Sequence, residues 1–275
     1  MKMNEEIKPH AKDYPLLLTG TIIIDTNNAS AGSIDLEKRI GDYERSLQRY
    51  ICDTKFNPIV FIDNSGYPLD VNKYEQMASE HGKAFEFLKG TECKAEVEKH
   101  GKGYGDALLV EEALAQSKLL ANEAFFYKIT GRIFLKNSDS IIKSCSRHRN
   151  EFIAYDGMGW VMTYLFKANI ADYKRVMKDV YLQCDDKSCR DMEICFWLRL
   201  YASGLDIGCF RTYPDIEGTM GTSSVPYSKG RVDTILRTIA ANIGIFTMKS
   251  KSSKTFWLMY RKITGRKPYV DAFNE

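Results

Sequence analysis

The chain has 275 residues, of which 44% are hydrophobic and 27% charged, the composition of a globular protein with enough apolar material for a sizeable core. Disordered, collagen-like and disulfide-stapled miniprotein classes are excluded on that basis. The 39 basic and 36 acidic residues leave a net charge of only +3, too small to imply a nucleic-acid partner for the chain as a whole. Seven cysteines (Cys52, Cys93, Cys145, Cys184, Cys189, Cys195 and Cys209) form an odd number without paired CxxC spacing. With a charged N-terminus that lacks an apolar leader, they lead us to expect a reducing, cytoplasmic compartment. No apolar run approaches the ~18 residues of a membrane span; the longest, Ile235 to Met248, is interrupted by Arg237 and Asn242.

In chain order, Pro15 to Asp25 is an apolar, β-branched run that reads as a buried strand, followed by a loop over Asp25 to Asn28. Ile34 to Ile51 has helical spacing. Pro58 to Ile62 is a second short strand, stopped by the turn signal Asp63-Asn64-Ser65-Gly66. A helix is predicted over Val71 to Glu80 and a third strand over Ala84 to Leu88. The Gly-rich loop His100-Gly-Lys-Gly-Tyr-Gly-Asp106 opens a helix over Ala107 to Leu120, and Ala124 to Leu135 reads as a fourth strand with a Thr130-Gly131-Arg132 break. Strand and helix thus alternate about four times, which predicts a mostly parallel sheet with helices on both faces. Ligands of such sheets bind at the carboxyl ends of the strands.

The second half differs. Glu151 to Lys167 is aromatic and apolar, with room for one more strand; Ile170 to Tyr181 and Asp191 to Tyr201 read as helices. Asp206 to Ser228, rich in Gly, Pro, Thr and Ser, reads as a long active-site loop or a linker. Lys-Ile-Thr-Gly-Arg occurs at both 128–132 and 262–266; nothing similar surrounds the two copies, and we read the recurrence as coincidence.

Gly101-Lys102-Gly103-Tyr104-Gly105 at a helix start suits a phosphate, because free N–H groups and the helix dipole converge there. A flexible loop would have the same sequence. Arg132 inside an apolar strand needs a partner, either an internal carboxylate or a ligand anion. Asp191 and Glu193 open an apolar helix, where acids also serve the dipole alone. Asp156, in Ala-Tyr-Asp-Gly-Met-Gly-Trp160, has glycines beside it that would let a sugar approach, and Trp160 to stack on it. Asp215 and Glu217, in the long loop, read as a solvated turn more readily than as an acceptor or metal contact. Neither the four histidines (His10, His81, His100, His148) nor Cys184, Cys189 and Cys195 have metal-ligand spacing.

The strand–helix order, the strand ending Ile62-Asp63-Asn64-Ser65, and the Gly-rich helix start resemble the GT-A fold of nucleotide-sugar-dependent glycosyltransferases. More narrowly, GKGYGDALLVEEAL followed by FFYKITGRIFLKN is similar to small bacterial transferases of lipopolysaccharide, capsule or O-antigen assembly, over about residues 15 to 200. The resemblance implies a GT-A-like catalytic domain over residues 1–228, with a donor half at about 15–137 and an acceptor half at about 150–228. It implies a donor-binding set of Asp63 and Asn64 at the nucleoside and Lys102, Gly103, Tyr104, Thr130 and Arg132 at the diphosphate. For Asp63 and Asn64 a purely capping role stays open. The catalytic candidates are Glu193 first, Asp191 second and Asp156 third, as the base for inversion. One departure matters: the family's Asp-x-Asp metal motif is missing, with Thr130-Gly131-Arg132 in its place. A divalent metal, Mg or Mn, or fixed cations such as Arg132 and Lys102 would then neutralise the leaving diphosphate.

Residues 229–275 form a separate segment. Between Lys229 and Lys267 stand ten basic residues and one acid, Asp233, a local charge of +9; the rest of the chain, 29 basic and 35 acidic, carries −6. Interleaved apolar and aromatic residues make this segment read as amphipathic helix with affinity for an anionic membrane surface. A helix packed on the catalytic domain is the alternative, and nucleic acid is not expected as a partner. Two functions follow. One is a glycosyltransferase moving a sugar from a nucleotide-sugar donor to a glycan or lipid-linked acceptor, peripheral to the inner face of the cytoplasmic membrane. The other is a non-catalytic membrane- or nucleic-acid-associated adaptor with an α/β scaffold.

Overall fold

The structure, a computed structural model, describes residues 14–24, 35–145, 150–219, 226–227 and 230–270. The predicted loop over Asp25 to Asn28, His10, His148, Ser228 and Lys229 lie outside the described residues. The first half follows the predicted order: β1 (Leu16–Gly20), α1 (Leu36–Asp53), β2 (Ile59–Asp63), α2 (Val71–Glu80) and β3 (Phe85–Lys89). A helix not foreseen, α3 (Lys94–His100), precedes α4 (Lys102–Gln116), β4 (Phe125–Thr130), β5 (Phe134–Leu135) and α5 (Ser138–Ser144). The chain continues through β6 (Asn150–Glu151), β7 (Ala154–Tyr155), β8 (Trp160–Val161), β9 (Leu165–Asn169), α6 (Ile170–Val176), α7 (Met192–Ala202), β10 (Ile207–Gly208) and β11 (Ile216–Glu217). It closes with α8 (Arg231–Asn242) and α9 (Lys251–Thr264).

Seven strands form one sheet in the order β10-β6-β9-β4-β1-β2-β3. All neighbours in it are parallel except β9, which runs antiparallel to both β4 and β6. The protein is therefore α/β, with a mostly parallel sheet flanked by helices. The sheet spans both predicted halves, since β6, β9 and β10 extend the row begun by β1 to β4. Three readings are corrected. The Gly-rich run is not a loop but the first turn of α4, and Gly101 at φ +96° divides α3 from α4. The fourth strand ends at Thr130; β5 leaves the main sheet to pair with β11. The stretch 151–167 carries several short strands rather than one.

Period-two alternation sorts the strand residues between two apolar layers. Leu16, Leu18, Ile59, Phe61, Tyr127 and Ile129 pack toward α1 and α2 with Tyr43, Leu47 and Tyr50. Leu17, Val60, Ile62 and Phe126 pack on the opposite face with Ala107, Val110 and Phe196 of α4 and α7. Asp35 caps α1 by accepting from Lys38 N, Asp70 caps α2 by accepting from Lys73 N, and Asp191 caps α7 by accepting from Ile194 N.

The C-terminal helices rest on the two-stranded β7–β8 sheet, through Ala154 N donating to Phe246 O and through aromatic residues. The Tyr155 ring lies 5.4 Å from Phe246 and 5.2 Å from Trp257, and Trp257 Nε1 donates to Ile245 O at 3.2 Å. A Cβ on Gly157 would stand 2.2 Å from Trp257 Cβ. Gly157→Ala is therefore expected to loosen the docking of α9 by about 1–3 kcal/mol while the sheet stays folded. Limited proteolysis should show earlier cleavage after residue 250 with an unchanged core fragment.

Candidate functional site

The strand order reverses between β1 and β4, so the carboxyl ends of β1, β2 and β4 border the crevice where doubly wound sheets take ligands. Register decides what faces it. Leu17 pairs with Lys128 and Thr19 with Thr130, so Thr19, Lys128 and Thr130 share one face and look toward α4. Asp106, one turn after Lys102 on α4, meets them. It accepts from Thr19 Oγ1 at 2.6 Å and from Lys128 Nζ at 2.6 Å. Lys128 is fully buried and donates further to Thr163 O at 3.2 Å and Thr130 Oγ1 at 3.5 Å. An ammonium inside an apolar layer persists only when paired and hydrogen-bonded, as here.

Thr163 carries the cluster on to α7. Its hydroxyl donates to Glu193 Oε1 at 2.9 Å. Burial first, and the neighbouring Asp191 second, push the Glu193 carboxyl up to about 7. Asp191 is also raised, chiefly by burial, and its carboxylate is engaged at the α7 N-cap, accepting from Ile194 N at 2.9 Å. Of the two carboxylates, Glu193 is the one whose side chain the helix does not require as a cap. Lys102 lies within electrostatic reach of both and holds each lower than burial alone would.

The glycines explain this closeness. A Cβ on Gly103 would stand 3.0 Å from Met192 N, and one on Gly101 would strike the Asp186 carboxylate at 2.2 Å. Asp186 Oδ2 accepts from Lys102 N at 3.1 Å, so a carboxylate of this chain holds the anion position at the start of α4. Tyr104 packs between His100 (5.5 Å) and Tyr181 (5.1 Å).

At the end of β2, Asp63 Oδ2 accepts from Ile22 N at 2.8 Å, and its Oδ1 accepts from Ser65 N and Ser65 Oγ. Asn64 Oδ1 accepts from Thr21 Oγ1 at 2.7 Å. Both residues thus tie the segments that leave β1 and β2. Arg132, half-buried, donates from Nε to Thr219 O at 3.4 Å, and its charge acts on the Tyr227 hydroxyl. Asp156 stands apart from the Glu193 cluster in its bonding: it accepts from Trp197 Nε1 at 3.2 Å and Lys249 N at 2.9 Å. The close approach that Gly157 and Gly159 permit is made by Trp257 and Val270.

A cleft of about 130 Å³ is lined by Tyr155, Trp160, Tyr164, Tyr213, Tyr227 and Asp233. Tyr227 connects it to the catalytic candidates, for its hydroxyl feels Arg132, Glu193 and Asp106 while burial pushes it up. Trp160 joins this wall edge-on to Tyr155 at 5.2 Å. Asp215, also lining the cleft, is paired with Lys136 at 3.0 Å.

Among the described residues, no three His, Cys, Asp or Glu side chains converge in a manner that would hold a metal ion. At the end of β4, where a metal motif was sought, Thr130 and Arg132 supply a hydroxyl and a guanidinium, which fit a phosphate oxygen rather than a divalent cation. Sequence reasoning assigned no role to Thr19, Asp106, Lys128 and Thr163. For Lys128 the signal was present: a lysine inside Phe-Phe-Tyr-Lys-Ile-Thr demands a buried partner as much as Arg132 does. Compared with known proteins, the chain matches no family model and no curated protein.

The pairing of buried Lys128 with the partly exposed Asp106 yields a stability test. Asp106→Asn leaves the Lys128 charge inside the layer with no carboxylate, and is expected to cost about 3–5 kcal/mol in urea denaturation. Asp106→Leu combined with Lys128→Met removes both charges and should recover most of that loss.

Proposed function

We propose that the protein is a GT-A-like glycosyltransferase that moves a sugar from a nucleotide-sugar donor to a glycan or lipid-linked acceptor, with inversion, in bacterial surface-polysaccharide assembly. The observation that carries this reading is Glu193, a carboxyl pushed up to about 7, held by the Thr163 hydroxyl and within electrostatic reach of cationic Lys102. A general base for an alcohol works best with such a pKa. The strand order and the crevice at its switch point support a nucleotide site.

In this mechanism Glu193 takes the proton of an acceptor hydroxyl while the acceptor oxygen attacks the donor's anomeric carbon. The bond from that carbon to the diphosphate oxygen breaks on the opposite face. Arg132 and Lys102 receive the charge that develops on the leaving diphosphate, in the role fixed cations can fill. The cleft walls, with Tyr and Trp faces and acidic rims, suit the acceptor sugar: apolar C–H faces stack on rings, and hydroxyls find acceptors at the edge. Thr130 sits on the donor side of this arrangement, and Asp63 and Asn64 hold the loops that frame the nucleoside. A metal, in this reading, is not required of the residues present.

One observation favours the non-catalytic alternative. Asp186 takes the anion position at the start of α4, so the Gly-rich turn is already satisfied without a phosphate. Calorimetric titration with UDP, GDP and CMP decides between them. Binding of one nucleotide, weakened about tenfold by Arg132→Ala, is expected; binding of none would refute the transferase.

The pH dependence follows from Glu193. A base must be ionised, so kcat/KM should rise with pH, level off above about 7, and fall at least about 100-fold in Glu193→Gln. Stability runs the other way. The folded carboxyl binds its proton more tightly than an unfolded one at the usual 4.5, so native stability declines as pH rises from there to about 7. The loss is on the order of 3 kcal/mol. Glu193→Gln should therefore melt higher than the parent protein at pH 8 and nearly equal to it at pH 4, measured by calorimetry.

A further inference from the structure

Helices α8 and α9 each bury one side and expose a second apolar stripe. On α8 the exposed residues are Val232 (71%), Ile235, Leu236, Ile239 and Ile243, spaced by three and four so that they share a face. On α9 the exposed stripe is Phe256, Met259 and Ile263 (77%). These are not residues awaiting the protein's own core: Ala241, Phe246 and Trp257 already fill that role from the other side. Lys251, Lys254 and Lys262 of α9, and Arg266 just beyond it, are exposed as well.

We infer that this double stripe is a docking surface for an anionic lipid bilayer. Three occupants compete, and the charges separate them. A second copy of the chain would set two segments of +9 against each other, which disfavours self-association. A nucleic acid would answer the charge but offer no apolar surface to eight aliphatic or aromatic side chains. A bilayer with acidic headgroups meets both demands at once, cations at the headgroups and apolar side chains at the acyl boundary. Among the described residues no helix is long and apolar enough to cross a membrane, so the geometry is of helices lying along the surface. The core, at −6, is repelled by the same headgroups, which orients the molecule with α8 and α9 toward the lipid.

The surface goes beyond the transferase reading and does not depend on it. Vesicle co-sedimentation of the full chain tests it, with phosphatidylcholine vesicles alone and with about 30 mol % phosphatidylglycerol. The expected result is binding to the anionic vesicles only. Leu236→Ser with Ile239→Ser should weaken it about tenfold through lost apolar burial, and Lys251→Glu with Lys254→Glu at least as much. Circular dichroism identical to the parent's shows that these exposed positions leave the fold intact. Three results would overturn the inference: no vesicle binding, equal binding to neutral vesicles, or binding unchanged in both variants. A dimer by light scattering that Leu236→Ser with Ile239→Ser dissolves, without lipid binding, would assign the face to a second copy. RNA binding in place of lipid binding would likewise overturn it. Nucleotide titration of the same preparations separates the two readings, because lipid binding without nucleotide binding leaves this surface standing and removes the transferase.

Discussion

The pairing of Lys128 with Asp106 is the constraint on which the site depends. It joins β4 at the centre of the sheet to the first turns of α4, and Thr19 binds the same carboxylate from β1. A buried ammonium cannot move without its partner, so the spacing between the sheet and α4 is set by a charge as well as by apolar packing. Lys128 also donates to Thr163 O, and the hydroxyl of that same threonine holds Glu193. The position of Glu193 is thus transmitted through one residue from the centre of the fold. A carboxyl raised to about 7 is expensive to keep half-desolvated, and such a group persists only where its surroundings are rigid.

The glycines of α4 serve this arrangement from the other side. Gly101 and Gly103 let the segment from Asp186 to Met192 approach within contact of the α4 backbone. That brings the α7 N-terminus, with Asp191 and Glu193, against Lys102. Without side chains at those two positions, α4 and α7 converge at their N-terminal ends, and the positive ends of two helix dipoles meet three acidic side chains. The dipoles lower the cost of gathering Asp186, Asp191 and Glu193 together. Burial still outweighs them, since all three carboxyls are raised.

Much of the fold was legible because each strand of the first half is a short apolar run ended by turn residues, and α2 begins and ends where its periodicity does. The second half was less legible for a physical reason. Apart from β9 its strands are only two residues long, and β6 pairs with β10 and β5 with β11 across long stretches of sequence, so no local pattern marks them. The site was half legible. Glu193, Asp191 and Lys102 were chosen as charged residues at helix starts, a local property. Asp106, Lys128, Thr19 and Thr163 converge from three elements and the β8–β9 connection, and only strand register reveals that Lys128 and Thr19 share a face. Asp156 drew notice for its flanking glycines, yet the group those glycines admit is Trp257 of the same chain.

That same packing gives the C-terminal segment its character. Asp156 accepts from Lys249 N and from Trp197, so one carboxylate pins the turn between α8 and α9 to α7. Tyr155 beside it contacts Phe246, Trp257 and, by its hydroxyl, Tyr213. Arg237 of α8 reaches the hydroxyls of both tyrosines at 3.5 Å while paired with Asp233 at 2.6 Å. The wall of the aromatic cleft is therefore also the seat of α8. The residues that seat α8 thus also line the cleft, through Tyr155, Tyr213 and Asp233.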